Sequence, residues 1–322
     1  MNFSVCRSRI PLIGILGFLV MPLALAGTSL ATASSAHTSC PTRIVSLSPT
    51  ATESLYAIGA GSQVVAVDSD SNFPRTYRVQ SGAHLITRNV PRQSDLSAYS
   101  PSAEAIVSGD GPDLVIGSYD ANHVRAQLNT LGVRTVFQPT ATTLAGAYAQ
   151  IRELGAVTCH TVAADRVIST MQRQIRAIQR SVPAVARRLT YYSEVSGPPS
   201  IYAANSSSFI GHLYGLLGLK SIADGVACSA NCNGFPTLTQ EWILGKNPSL
   251  IFLTDDFPLD GGVTPKAVAT RTGWNQLAAV KSHSVYALND DVASRWGPRI
   301  ILLMRGIAND VRHYLNAHPK AR

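Results

Sequence analysis

The sequence has little charge, and it lacks several patterns that would indicate an enzyme or a nucleic-acid-binding protein. Only 14% of the 322 residues are charged, and the 27 Lys and Arg residues that outnumber the 19 Asp and Glu residues form no basic block. Scattered basic residues argue against a nucleic-acid groove. The G-x-S-x-G elbow of α/β hydrolases and the G-x-x-x-x-G-K phosphate loop are both absent. A secreted hydrolase that assembles its triad from distant residues is the remaining enzymatic alternative.

Long apolar runs are also absent, with one exception at the start of the chain. The basic segment "MNFSVCRSR" precedes "IPLIGILGFLVMPLALA", a pattern typical of a secretory signal peptide. We therefore expect a signal peptide at 1–26, with cleavage up to residue 36 as the alternative, then a flexible segment at 27–42. The protein is predicted to be exported to the periplasm or the cell surface. The context of Cys40 does not match a lipoprotein box, which disfavours a lipid anchor there.

Cysteines are few, and export favours their pairing because the compartment is oxidising. One of the five lies in the predicted signal peptide. Cys228 and Cys232 are close enough to close a small loop, which leaves Cys40 and Cys159 for a second bridge; the sequence leaves other pairings open. No further Cys or His stands at zinc-ligand spacing, and no cluster of His, Asp and Glu predicts a metal site.

Helix and strand patterns alternate along most of the chain. The stretch "RIVSLSPTATESLYAIGAGSQVVAVDSD" predicts a strand, a Ser-Pro-Thr turn that caps a helix, and a second strand. Similar alternation follows and resumes after residue 183, which predicts mostly parallel sheets covered by helices. Between these regions, apolar residues keep helical spacing from roughly Gly155 to Ser181, a helix of about 40 Å.

These patterns predict an α/β fold of two βα lobes with mostly parallel sheets, joined by one long helix. The expected boundaries are an N-terminal lobe at 43–154, a linking helix at 155–182 and a C-terminal lobe at 183–322. Such an arrangement places a ligand cleft between the lobes. The alternative is that the long helix is simply an amphipathic core helix.

One motif occurs twice, as "EAIVSGDGPDLVI" from Glu104 and "EWILGKNPSLIF" from Glu241. Each copy opens with a glutamate and ends in an apolar run led by proline. Ser100 is predicted to cap the first helix with Pro101 at its first position, which puts Glu104 in a turn where the helix dipole favours negative charge. Stabilisation of two helix ends is therefore one explanation for these carboxylates.

The opening stretch, both glutamate motifs, the long middle helix and "SRWGPRIIL" together resemble the solute-binding proteins of ABC importers for vitamin B12, ferric siderophores and haem. The resemblance spans Arg43 to Leu315 and is strongest to the cobalamin-binding members. It implies a monomeric receptor, not an enzyme, without a cofactor, that binds a small molecule containing chelated cobalt or iron. It also implies that Glu104 and Glu241 dock on a permease dimer served by a cytoplasmic ATPase.

A bulky planar ligand needs aromatic walls and a few polar anchors, which occur here in loops at predicted strand ends. The candidate ligand contacts are Phe73, Tyr99, Tyr119, Phe235, Arg295 and Trp296. The resemblance places Phe235 where cobalamin receptors carry a ligand-facing tryptophan and Arg295 on a conspicuous arginine. Asp70 stands where those receptors carry a tyrosine, so cobalamin is less firmly predicted than the fold.

Two other ligand classes remain as alternatives. An anionic ferric siderophore would pair with arginines, for which Arg88, Arg92 or Arg295 are available. Haem would need an axial ligand, and the candidates are His84, His123, Tyr99 and Tyr119.

Overall fold

The computed structural model describes residues 39–81, 84–93, 95–108, 111–229, 232–254 and 263–319. The predicted signal peptide and most of the predicted flexible segment lie outside the described residues.

Twelve strands and eleven α-helices are defined in these parts of the chain. The strands are β1 (Ile44–Leu47), β2 (Val64–Val67), β3 (Thr76–Ser81), β4 (His84–Asn89), β5 (Leu114–Gly117), β6 (Arg134–Phe137), β7 (Thr190–Ser196), β8 (Ile201–Ala203), β9 (Lys220–Ser221), β10 (Thr237–Leu238), β11 (Leu250–Leu253) and β12 (Val285–Ala287). The helices are α1 (Pro49–Ala57), α2 (Ala103–Val107), α3 (Val124–Thr130), α4 (Leu144–Val157), α5 (Thr161–Ser181), α6 (Phe209–Leu216), α7 (Gln240–Lys246), α8 (Pro265–Ala269), α9 (Ala278–Lys281), α10 (Asp290–Ala293) and α11 (Ile300–Ala317).

The N-terminal lobe is built on a parallel sheet of order β2-β1-β5-β6. Every residue of β1 and β5 is buried, as expected for central parallel strands covered on both faces. Ser48 caps α1 as predicted, because its hydroxyl accepts a hydrogen bond from the Ala51 N–H at 3.2 Å.

The C-terminal lobe has its own sheet, of order β10-β8-β7-β11-β12, with β9 paired to β7. The β7, β11 and β12 strands are parallel, whereas β8 pairs antiparallel with β7, and β10 pairs antiparallel with β8. The expected α/β fold with two lobes and mostly parallel sheets is therefore confirmed. A separate two-stranded sheet, β3 with β4, was not predicted from the sequence.

The linking helix is shorter than expected. Gly155 belongs to α4, and a turn at 158–160 separates α4 from α5, which begins at Thr161. Cys159 has a φ of 65° in this turn and is bonded to Cys40, so the helix cannot continue through it. The 21 residues of α5 span about 32 Å, not 40 Å.

One apolar core joins the two lobes. It runs from Ile44 in the first sheet through Ile168, Met171 and Ile175 of α5 to Phe252 in the second sheet. Each sheet also has a smaller apolar cluster of its own. The cluster of the N-terminal lobe includes residues of α2 and α3, and that of the C-terminal lobe includes Ile243 of α7. Because the central core is shared, the lobes are coupled by packing as well as by chain connection.

Candidate ligand-binding site

A cavity of about 390 Å³ lies between the two lobes. Loops that follow the carboxyl ends of β5, β6, β11 and β12 border it. Open parallel sheets bind ligands at the carboxyl ends of their strands, so the cavity lies where the sheet topology predicts a binding site. The volume falls within the usual range of small-molecule sites, about 300–1,000 Å³.

The N-terminal lobe contributes polar loop residues to the cavity. Ser118 and Tyr119 directly follow β5, and Thr140 and Thr142 follow β6. The Ser118 hydroxyl shares a 2.6 Å hydrogen bond with that of Ser48, the cap of α1. Tyr119 is 69% exposed, so its ring has free area to offer to a ligand.

Phe235 reaches the cavity from a tight turn in the C-terminal lobe. Asn233 and Gly234 have φ of 49° and 86°, and a Cβ on Gly234 would lie 2.5 Å from the Ser208 nitrogen. The Asn205 N–H donates to the Gly234 carbonyl at 2.9 Å. This backbone arrangement fixes the turn, and both Asn233 and Phe235 border the cavity.

Trp296 forms part of the cavity wall and contacts both lobes. Its indole N–H donates to Oε1 of Gln150 on α4 at 2.5 Å, and its ring packs edge-on against Phe209 of α6 at 6.4 Å. The Gln150 amide in turn donates to the Pro139 carbonyl at 2.6 Å. The orientation of the indole is therefore set by hydrogen bonds before any ligand binds.

The described cavity wall is largely apolar and hydroxyl-bearing. It contains no Lys, Arg or His within the described residues, and Asp290, in the first turn of α10, is its carboxylate. Ser118, Thr140, Thr254 and Asn233 supply neutral hydrogen-bonding groups. Such groups can form hydrogen bonds with amide or carbonyl groups on the rim of a ligand.

Two predicted contacts, Phe73 and Tyr99, lie outside the described cavity wall. Phe73 borders a separate, more open depression, where the Arg299 guanidinium stacks 4.2 Å from its ring centroid. Tyr99 is 77% exposed. Their roles in ligand binding remain predictions.

Arg295, which was predicted to be a ligand contact, forms its hydrogen bonds within the protein. It is only 7% exposed and bonds within the protein, with Nη1 donating to Glu53 at 2.9 Å and to Asn72 at 2.8 Å. Its Nη2 donates to Asp291 at 2.5 Å and to the Asp70 carbonyl at 3.1 Å. Both terminal nitrogens are thus already engaged, and Arg295 does not border the described cavity.

Glu53, the partner of Arg295, was not predicted from the sequence. Its side chain is 2% exposed and accepts from both Arg295 and Arg299, the latter at 2.5 Å. A glutamate between the apolar positions of α1 was the only local pattern that could have indicated a buried ion pair.

The residues named for the alternative ligands are scattered. Arg88 is exposed on β4, and the Arg92 Nε donates to the Ser71 carbonyl at 3.3 Å. His123 is exposed, and the side chain of His84 lies outside the described residues. Among the haem candidates, Tyr119 borders the described cavity.

Glu104 and Glu241 occupy equivalent places in the two lobes. Each lies in the first turn of a short helix, α2 or α7, that precedes a fully buried central strand, β5 or β11. Ser102 caps α2, not Ser100, and Thr239 caps α7. Both carboxylates are exposed, and no ion pair to either occurs within the described residues.

The structure pairs the cysteines as the loop argument suggested. Cys40 is bonded to Cys159, which ties the start of the described chain to the turn before α5. Cys228 is bonded to Cys232, immediately before the turn that carries Phe235. No set of three or more His, Cys, Asp or Glu side chains in the described residues is placed to hold a metal ion. None of the described helices is long and apolar enough to cross a membrane.

Fold and site together define a two-lobed solute-binding protein. The periplasmic binding protein family profile matches residues 44–292, and the chain belongs to this family.

Curated relatives match over most of the chain. An uncharacterised ABC transporter substrate-binding lipoprotein of Bacillus subtilis, YvrC, is 28% identical over 84% of this chain and 80% of its own length. A vitamin B12-binding protein of Pectobacterium atrosepticum is 26% identical over 84% of this chain and 88% of its own.

Solved structures show the same fold. The periplasmic vitamin B12 binding protein BtuF of Vibrio cholerae superposes with a TM-score of 0.65 at 22% identity, over 85% of this chain and 98% of that one. The periplasmic haem-binding protein RhuT of Roseiflexus sp. RS-1 gives 0.68 at 21% identity, over 84% and 98%. At these identities the likeness establishes the fold alone.

Proposed function

We propose that this protein is the extracytoplasmic receptor of an ABC importer and that it binds a neutral chelated-metal compound, cobalamin or a neutral ferric siderophore, in the interlobe cavity. The observation that carries the proposal is the cavity itself, which lies at the carboxyl ends of strands from both lobes and has Tyr119, Phe235 and Trp296 in its wall. The receptor delivers its ligand to a permease, changes no covalent bond in it and needs no cofactor of its own.

The charge of the cavity wall distinguishes the ligand classes. Cobalamin carries amide groups around its corrin ring, and ferric trihydroxamates are uncharged, so both suit hydroxyl and amide partners such as Thr140, Thr254 and Asn233. Haem propionates and catecholate siderophores are anionic, and the described wall offers them the Asp290 carboxylate but no Lys, Arg or His side chain. Haem is therefore the second candidate, with Tyr119 as its axial ligand.

The protein is proposed to act outside the cytoplasmic membrane, in the periplasm or at the cell surface. The Cys40–Cys159 bond bears on how it is held there, because a sulfur in a disulfide cannot also carry a thioether-linked lipid. This supports the expectation that Cys40 is not a lipid attachment site.

A titration of the exported, processed protein tests the ligand. Cyanocobalamin, a ferric trihydroxamate, a ferric catecholate and haem are each followed by calorimetry and by tryptophan fluorescence, to which Trp296 contributes. We expect binding of a neutral compound, and we expect Phe235→Ala to weaken it on the order of tenfold, the usual effect of truncating an aromatic contact. Tyr202→Ala, an exposed aromatic outside the described wall, is the matched control. Tight binding of the anionic compounds alone would overturn the charge argument.

Docking on the permease is proposed to use Glu104 and Glu241. The two exposed carboxylates, one on each lobe, can pair with cations on two permease subunits. The double variant Glu104→Lys with Glu241→Lys should abolish uptake and leave ligand affinity unchanged. Charge reversal at two other exposed acids, Asp95 and Asp165, is the control. Normal uptake by the Glu104 and Glu241 double variant would show that docking lies elsewhere.

A further inference from the structure

The solvent-facing side of α5 carries a stripe of four arginines, which we call the arginine face: Arg166, Arg173, Arg176 and Arg180. All four are exposed, whereas Ala164, Ile168, Met171, Ile175 and Ile178 of the same helix are buried. At about 100° per residue, the four arginines fall within an arc of about 80° on the side opposite the buried residues. Along the helix axis, Arg166 and Arg180 lie about 21 Å apart.

The positive charge of this face is not neutralised locally. Asp165 is the acidic residue of α5, and its carboxylate lies 3.5 Å from Arg152 of α4. Within the described residues, no carboxylate forms an ion pair with any arginine of the face.

The neighbouring helix α11 extends the basic surface. Its exposed Arg305 donates a 3.4 Å hydrogen bond to Gln174 of α5, so this guanidinium lies beside the helix that carries the arginine face. Two large aliphatic side chains are also exposed on these helices, Val162 on α5 and Leu302 on α11.

The arginine face is separate from the candidate ligand site. No residue of α5 borders the described cavity, and the apolar side of the helix is part of the core shared by the lobes. Neither ligand binding in the cavity nor docking through Glu104 and Glu241 accounts for four arginines on one side of one helix.

We propose that the arginine face binds the headgroups of an anionic phospholipid bilayer. Arginine suits this partner because its planar fork donates two hydrogen bonds to a phosphate group. The apolar side of α5 is already buried, so the contact takes place at headgroup depth and depends on charge. The exposed Val162 and Leu302 favour a bilayer over a hydrated anionic polymer, since aliphatic side chains gain from the boundary between headgroups and acyl chains.

Vesicle binding by the exported, processed protein, without any added ligand, tests this proposal. Sedimentation with phosphatidylglycerol–phosphatidylcholine vesicles is compared with sedimentation with pure phosphatidylcholine vesicles. We expect binding to the anionic vesicles and its loss between about 0.1 M and 1 M salt, over which the Debye length falls from roughly 10 Å to 3 Å. Changing the four arginines to Gln should lower the partition coefficient roughly fivefold each, and by more than a hundredfold together.

A second quadruple variant controls for net charge. Arg78, Lys220, Lys266 and Lys281 are exposed and lie outside α5, so changing them to Gln removes the same formal charge. The proposal requires that the partition coefficient falls in this variant by less than about a tenth of the fall seen when the arginine face is changed. Circular dichroism melting of both variants verifies that they are folded.

Several outcomes would overturn the membrane assignment. These are equal binding to neutral and anionic vesicles, an equal loss in the two quadruple variants, or binding of a soluble polyphosphate with no vesicle binding. The ligand titration uses no vesicles and the vesicle assay uses no ligand, so failure of one proposal is distinguishable from failure of the other.

Discussion

Replacement of Glu53 by Gln should destabilise the protein strongly. Glu53 is 2% exposed and holds two guanidinium groups, Arg295 at 2.9 Å and Arg299 at 2.5 Å, whose side chains are 8% and 17% exposed. Removal of the carboxylate charge leaves both cations buried with weaker partners, and breaking a buried ion pair in this way costs about 3–5 kcal/mol. Arg295 retains Asp291, so we expect the free energy of unfolding to fall by about 3 kcal/mol, the lower end of this range.

Urea denaturation followed by far-UV circular dichroism measures this loss. The midpoint should fall with little change in the m-value, because the surface exposed on unfolding is the same. Asp165→Asn is the matched control, since the Arg152–Asp165 pair is 55% exposed on both sides and should contribute no more than about 1 kcal/mol. Equal effects of the two substitutions, or a loss below about 1 kcal/mol for Glu53→Gln, would refute the view that this network stabilises the fold.

Burial raises the pKa of Asp68 from 3.8 to about 6, so the folded protein holds this proton more tightly than the unfolded chain does. The contribution of Asp68 to the free energy of unfolding should therefore be greatest below pH 3.8 and decline as the pH rises through about 6. Urea denaturation at successive pH values measures this decline, which Asp68→Asn should remove. A wild-type decline that persists unchanged in Asp68→Asn would assign it to other groups. Replacing Cys40 and Cys159 by Ser should lower the free energy of unfolding by about 2–5 kcal/mol, because their bond closes a long loop; an unchanged denaturation midpoint would contradict this.

Local patterns in the sequence were sufficient for the parallel strands of the two main sheets and for the helices between them. The Ser-Pro-Thr turn predicted the capped start of α1, and the alternation of apolar runs with helical periods predicted parallel strands in two groups. The repeated glutamate motif predicted equivalent short helices before β5 and β11, although the cap of the first was assigned to Ser100 instead of Ser102. Each of these features depends on residues a few positions apart.

Several features that depend on contacts between distant residues were not predictable. Glu53 and Arg295 are 242 positions apart, and nothing near either residue identifies the other. The break before α5 depends on the left-handed backbone of Cys159, a conformation that the helical periodicity on both sides conceals. Asn233 was not identified as a cavity residue because its position depends on a turn with positive φ, not on an apolar pattern.

The shared core and the Glu53 network together predict small lobe movements on ligand binding. A wide opening would pull Arg295 and Arg299, which lie after the second sheet, away from Glu53 on α1 and break both ion pairs of this buried carboxylate. It would also separate apolar residues that pack continuously from the first sheet through α5 to the second. We therefore expect lobe rotations below about 20° between ligand-free and ligand-bound crystal structures, unlike the hinge closure of receptors with flexible connections. A larger rotation with the Glu53 pairs intact would show that the network moves with one lobe and does not restrain the other.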